Sequence, residues 1–410
     1  MTDVPTSPVS PAVKIAGRVG RFSYAIRNIA TAAQAAEARG VKVRYLNIGD
    51  PVARGFRTPD HLVETVARAM RDGHNGYLAS QGILSAREAV ASDYSTRGVP
   101  VSPDRVLITT GTSEAIDLTL SALVDEGEQV LIPSPTYPLY TAVLAKLGAE
   151  PLYYRTDPTN QWLPDIEHLR SLITARTRVL VVIDPNNPTG AVYPAAVRRN
   201  LIDLAEQHGL TILADEVYGD LGFDGPVPLV GSLNTEAPII SLSSLSKAYL
   251  APGWRTGWLV VSATPRLDPV LAAIRKLADG RLCSPGPMQY AVSAALNGDR
   301  SHQVTFRRAL KERGELTART FSTIPGMSCV TPRAAFYAFP SVALPKGHTD
   351  EQFVLALLNA TGVLVVHGSG FGMPPADGYF RVVYLADPAE LTSIYADIAA
   401  FTQDYLRKAG

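Results

Sequence analysis

A chain of 410 residues is long enough for a large core and for two domains. Its 38 basic and 38 acidic side chains cancel, which argues against a basic platform for nucleic acid. Apolar residues make up 46% of the chain, yet no run approaches the ~20 residues of a bilayer crossing, so a globular, non-membrane protein is expected.

Residues 1–11 are rich in Pro, Ser and Thr and lack the basic start and apolar centre of a signal peptide, which predicts a flexible tail on a cytoplasmic protein. Cys283 and Cys329 have no metal-ligand spacing and read as reduced thiols; no metal site is expected. From Arg44 to about Asn297 short apolar runs alternate with amphipathic stretches. The runs at 106–108, 130–132, 179–183, 210–213, 239–242 and 258–261 predict buried strands, and 114–123 and 193–208 predict helices between them. This alternation implies an α/β fold, a mostly parallel sheet between helices, with functional loops at the carboxyl ends of its strands. A second region starts near Ser301. A charged helix at 302–321 and strands at 328–330, 335–339 and 380–384 predict a smaller α+β domain.

The chemistry gathers at the ends of the predicted strands. Lys247 sits in the run Ser243-Ser244-Leu245-Ser246-Lys247, with Arg255 eight residues on. A lysine amine can form a Schiff base with an aldehyde, while hydroxyls and a guanidinium suit a phosphate. Together they suggest pyridoxal 5′-phosphate, although this run alone also fits a solvated loop. Gly111-Thr112-Ser113 opens a predicted helix, a place where free N–H groups favour an anion and where small polar residues also serve as ordinary caps. Asp215 follows a buried run and could be a helix cap or the carboxylate partner of a protonated ring nitrogen. Asn187 begins the sequence Asn-Pro-Thr-Gly, a natural turn.

These motifs, in this order, make the chain resemble the fold-type I pyridoxal-phosphate aminotransferases, the class I/II family, from about Tyr24 to the C-terminus. The resemblance implies that Lys247 carries the cofactor and then acts as the base, with Asp215 and Tyr218 as further catalytic groups. Gly111, Thr112, Ser113, Ser244, Ser246 and Arg255 match the family's phosphate cradle. Tyr137 matches the aromatic stacked on the cofactor ring, and Tyr218 and Asn187 match the donors to its 3-oxygen. Arg381 matches the arginine that grips the substrate carboxylate, and Gly49, Asn187 and Tyr24 match residues near the substrate. Tyr77 matches a tyrosine that reaches the phosphate of a neighbouring subunit, which implies a homodimer with shared sites. The family pattern also places a cis bond at Asn187–Pro188. It divides the chain into a tail (1–20), an arm packed on the small domain (21–48), a large domain (49–297) and a small domain (298–410).

Phe22-Ser23-Tyr24, residues 45–51, Gly73-His74-Asn75 and Arg281-Leu282-Cys283 resemble the alanine aminotransferase branch, which implies exchange among alanine, pyruvate, glutamate and 2-oxoglutarate. Ser243-Ser244 and His367 depart from that branch's usual residues. An aromatic or branched-chain preference, a carbon–sulfur β-lyase and a non-catalytic pyridoxal-phosphate module stand as alternatives.

Overall fold

The six apolar runs join two strands that no such run marks, Glu150–Asp157 and Leu163–Pro164, in one eight-stranded sheet of the computed structural model, which describes residues 13–21 and 25–409. Its strands are β1 (Val106–Thr109), β2 (Gln129–Ser134), β3 (Glu150–Asp157), β4 (Leu163–Pro164), β5 (Thr177–Ile183), β6 (Thr211–Asp215), β7 (Ile239–Ser244) and β8 (Gly257–Val261). They lie in the order β1-β8-β7-β6-β5-β2-β3-β4. The pairs from β3 through β2, β5 and β6 to β7 are parallel. β8 runs antiparallel to both neighbours, and β4 is an antiparallel edge.

Both faces of the inner part of this sheet are dry, and strand periodicity explains why; the outer strand β3 alternates exposed and buried residues. Along β5, Val179, Val181 and Ile183 join one apolar layer while Leu180 and Val182 join the other. Helices Thr112–Leu123 and Asp268–Gly280 close the first layer through Ile116, Leu271 and Ile274. Helix Ala195–Gln207 closes the second through Leu201 and Leu204. Each such buried branched side chain contributes roughly 1.5–3 kcal/mol. Along the inner strands that layering leaves the strand ends as the accessible part.

The C-terminal part is smaller and mixed. Helices Ser301–Thr323, Asp350–Thr361 and Pro388–Ala409 surround a three-stranded antiparallel sheet of Tyr337–Ala338, Phe380–Val383 and Val366–His367. Thr349 and Gln352 form a reciprocal cap on the second helix, closing its free N–H groups. Near the other end of the chain, Arg44–Tyr45 pairs in parallel with Val363–Leu364. Leu46 continues the join, donating to Leu364 and accepting from Val383, each at 2.9 Å. The predicted strands at 328–330 and 335–339 shrink to Met327–Ser328 and Tyr337–Ala338.

One backbone expectation is corrected. Among the described residues the cis bonds are Ser134–Pro135 and Asp184–Pro185, and Asn187–Pro188 is trans. Pro188 lies inside a turn closed by Gly190 N–H on the Asn186 carbonyl (2.9 Å) and Thr189 N–H on Asn186 Oδ1 (3.2 Å).

Candidate active site

Loops that follow β1, β2, β5, β6 and β7 converge on a cavity of about 380 Å³. Parallel strands send all these carboxyl ends to one edge, so residues far apart in sequence meet there. Lys247, Asp215, Tyr218, Asn187, Tyr137 and Arg381 line the cavity. Thr112, Ser113, Ser244, Ser246, Arg255 and Gly49 line it too.

Lys247 follows the end of β7 by three residues, and its Nζ donates to the Gly49 carbonyl at 2.9 Å. Burial, together with the nearby Arg381 and Arg255 charges, lowers its pKa to about 8, while Asp50 and Asp215 oppose the shift. Asp215 is the last residue of β6 and is buried. Tyr140 Oη donates to its Oδ2 at 3.0 Å. Burial raises the Asp215 pKa to about 6, against the pull of the Tyr140 and Val217 hydrogen bonds.

Arg381 reaches in from the small sheet and is 2% exposed. Nη1 donates to Asn187 Oδ1 (3.0 Å) and Nη2 to the Asn47 carbonyl (2.6 Å). The Tyr337 and Phe371 rings lie 4.7 and 4.8 Å from its Cζ. Its Nε is buried with no partner. A buried cation with donors left over is a receptor for a carboxylate.

The opposite end is built for an anion of different shape. Gly111 precedes the helix Thr112–Leu123 with φ 75°, and no side chain caps the helix. A Cβ at Gly111 would lie 2.4 Å from Arg255 Nη2, so only glycine admits that guanidinium. Arg255 itself has φ 52°, a left-handed conformation that costs a non-glycine residue about 1–2 kcal/mol. It is held by the Pro252 carbonyl at 3.0 Å. Thr112 Oγ1 is buried without a partner beside it.

Two residues singled out from the sequence lie off the cavity wall, and a third is not described. Gly111 stands behind Arg255 rather than on the cavity wall. Tyr77 is 86% exposed and lines no part of the cavity. Tyr24 falls outside the described residues. His367 also stays off the cavity wall, hydrogen-bonded to Ser369 Oγ at 2.8 Å. The structure adds Tyr337 and Ile48 to the lining, and Tyr140 and Asn47 as partners of Asp215 and Arg381. Asn47 and Ile48 lie in the singled-out stretch 45–51, but no local pattern marks Tyr140 or Tyr337.

The family model described as aminotransferase class I and II matches residues 42–398. The chain belongs to the class I and II aminotransferases. The alanine aminotransferase of Mycobacterium tuberculosis is 40% identical over 380 residues, covering 90% of this chain and 87% of the relative. The glutamate-pyruvate aminotransferase AlaA of Escherichia coli is 35% identical over 409 residues, covering 97% and 99%. The solved alanine aminotransferase of Pyrococcus furiosus superposes with a TM-score of 0.92 at 36% identity, over 95% of this chain and 100% of that one. This aminotransferase is therefore an enzyme of the fold-type I class, and its family implies pyridoxal phosphate as cofactor. The cavity fits that group. An unpartnered Thr112 hydroxyl and the Arg255 guanidinium suit a phosphate, and an amine and a carboxylate stand elsewhere in the same space. Among the described residues no helix of the aminotransferase is long and apolar enough to cross a membrane.

Proposed function

We propose that this aminotransferase moves the amino group between alanine and glutamate, with pyruvate and 2-oxoglutarate as the matching oxo acids, in two half-reactions at the Lys247 cavity. When bound, pyridoxal phosphate supplies an aldehyde for the amino group and a ring that accepts the electron pair left at Cα. Arg255, Thr112, Ser113, Ser244 and Ser246, with the amides after Gly111, hold its phosphate. Asp215 would pair with a protonated ring nitrogen, and Tyr140 holds that carboxylate in place. Tyr218 Oη and Asn187 Nδ2 would donate to the ring oxygen, since Asn187 Oδ1 already accepts from Arg381. Tyr137 would cover the ring and exclude water. Arg381 grips the substrate carboxylate with donors that Asn187 and Asn47 leave free. The Gly49 backbone closes that pocket. Lys247 anchors the cofactor, and once freed its neutral amine takes the proton from substrate Cα. A pKa near 8 keeps that neutral form within reach at neutral pH.

The observation that carries this reading is the meeting of Lys247, Asp215 and Arg381 in one cavity. The names of the relatives support the choice of alanine and glutamate. The test loads the purified protein with pyridoxal phosphate and adds single amino acids with no oxo acid. Alanine and glutamate should bleach the yellow absorbance, and pyruvate or 2-oxoglutarate should restore it. Bleaching only by aromatic or branched amino acids would refute the substrate choice; sustained consumption without an acceptor would indicate a lyase.

The working unit we propose is a homodimer. Tyr77 is exposed near the exposed Leu282, where Leu78 N–H meets Cys283 Sγ at 3.5 Å. A second copy would cover this apolar edge and receive Tyr77 at its phosphate end. Sedimentation at working concentration should give twice the chain mass of 43.9 kDa.

A further inference from the structure

Tyr337 meets both Tyr218 and Arg381 in the cavity, yet it belongs to no motif that follows a strand of the large sheet. It is 3% exposed, on the short strand paired with Phe380–Val383. Its ring faces the Arg381 guanidinium at 4.7 Å. Its Oη lies 2.8 Å from Tyr218 Oη. A Cβ at Gly49 would fall 2.4 Å from the same Oη, so the backbone that accepts from Lys247 is packed against this hydroxyl.

A phenol has one proton to give. If Tyr218 spends it on the cofactor's ring oxygen, as the reading above requires, the 2.8 Å contact is satisfied only when Tyr337 donates to Tyr218. We propose that Tyr337 is a positioning residue: its hydroxyl fixes Tyr218 as a donor to the cofactor, while its ring packs on the Arg381 carboxylate clamp. This rests on the role proposed for Tyr218. Donation from Tyr337 polarises the Tyr218 hydroxyl and strengthens its hold on a negatively charged ring oxygen. The titratable groups facing the pair are Tyr137, Arg381 and Tyr384, with Lys247 on the Gly49 side.

The test is a pH titration of the loaded enzyme's visible absorbance in wild type, Tyr337→Phe, Tyr218→Phe and the double variant. Phenylalanine keeps the ring on Arg381 and removes only the hydroxyl. Tyr337→Phe should raise the midpoint by about half a pH unit, the scale of one neutral hydrogen bond. Tyr218→Phe should raise it by about one unit or more, because the direct donor is lost. In the Tyr218→Phe background the second change should add no shift, which is the signature of action through Tyr218. KM for alanine should change less than about twofold in Tyr337→Phe, because the ring packing that holds the clamp remains. An unchanged midpoint in Tyr337→Phe, beside a clear shift in Tyr218→Phe, would overturn the coupling and leave the active-site reading intact. So would an equal shift in both backgrounds. An unchanged midpoint in Tyr218→Phe would overturn the role of Tyr218 and this inference with it.

Discussion

Replacing Arg381 by lysine tests the carboxylate clamp most directly. The guanidinium carries five N–H donors. One on Nη1 goes to Asn187 and one on Nη2 goes to Asn47, leaving the buried Nε–H and one on each terminal nitrogen for a ligand. Lysine keeps the charge but offers a single point donor and loses the flat surface between the Tyr337 and Phe371 rings. Losing one charge-assisted bond of a parallel pair costs roughly 1.5–3 kcal/mol. At about 1.4 kcal/mol per decade, that weakens alanine binding about ten- to 150-fold. The assay is the rate of cofactor bleaching against alanine concentration, repeated with isopropylamine, an amine without a carboxylate. Alanine should suffer the full loss and isopropylamine almost none. Equal losses for both amines would show that the substitution merely disturbs the cavity, and the clamp assignment would fall.

Three further outcomes are expected. Lys247 titrates near 8 in the folded chain instead of 10.5, so its charge opposes folding below pH 8 and this cost is recovered between pH 8 and 10.5. Cofactor-free Lys247→Met should therefore gain at most ~3 kcal/mol in urea unfolding at pH 7, a ceiling because the side chain keeps some exposure and donates to Gly49, with the gain gone near pH 10.5. Asp215 shows the opposite window. Its pKa is raised from 3.8 to about 6, so its ionisation costs stability as pH rises through that range. Cofactor-free Asp215→Asn should be up to ~3 kcal/mol more stable at pH 7 and no more stable below pH 3.8, and its loaded form should transfer the Cα proton at least about 100-fold more slowly. A wild-type single-turnover rate would remove Asp215 from its assigned role. Finally, Arg198 and Asp184 form a buried pair at 2.6 Å that also anchors Tyr193 N–H and the Pro228 carbonyl. Arg198→Met should lower stability by about 3–5 kcal/mol, and an unfolding midpoint like that of wild type would contradict the burial of that pair.

Six strands of the central sheet were legible because they are buried on both faces and so appear as unbroken apolar runs such as 179–183, whereas the outer pair at 150–157 and 163–164 was not, because part of Glu150–Asp157 faces solvent. The loops after them were legible because small, turn-forming and ionisable residues interrupt those runs abruptly, as at Asp184, Asp215 and Lys247. What the chain hides is contact without periodicity. Tyr337 meets Tyr218 across 119 positions, and Asn47 meets Arg381 across 334, through groups that look like ordinary strand residues locally. The antiparallel course of β8 was equally hidden, since an apolar run carries no direction. Pattern matching misplaced the cis bond because Asn-Pro-Thr-Gly and Asp-Pro stand side by side, and only the geometry of the exit from β5 separates them.

The pairing of Arg44–Tyr45 with Val363–Leu364 bears on how the protein is made. At ~5–20 residues per second on a ribosome, the first strand waits on the order of tens of seconds for its mate to be synthesised. Through that interval the Asn47 and Gly49 carbonyls lack the backbone neighbours that align them for Arg381 and Lys247. The large sheet can assemble while the nascent chain lengthens, but the substrate end is finished last. A stalled or truncated chain ending before residue 363 would thus hold the phosphate cradle and the lysine without the carboxylate clamp.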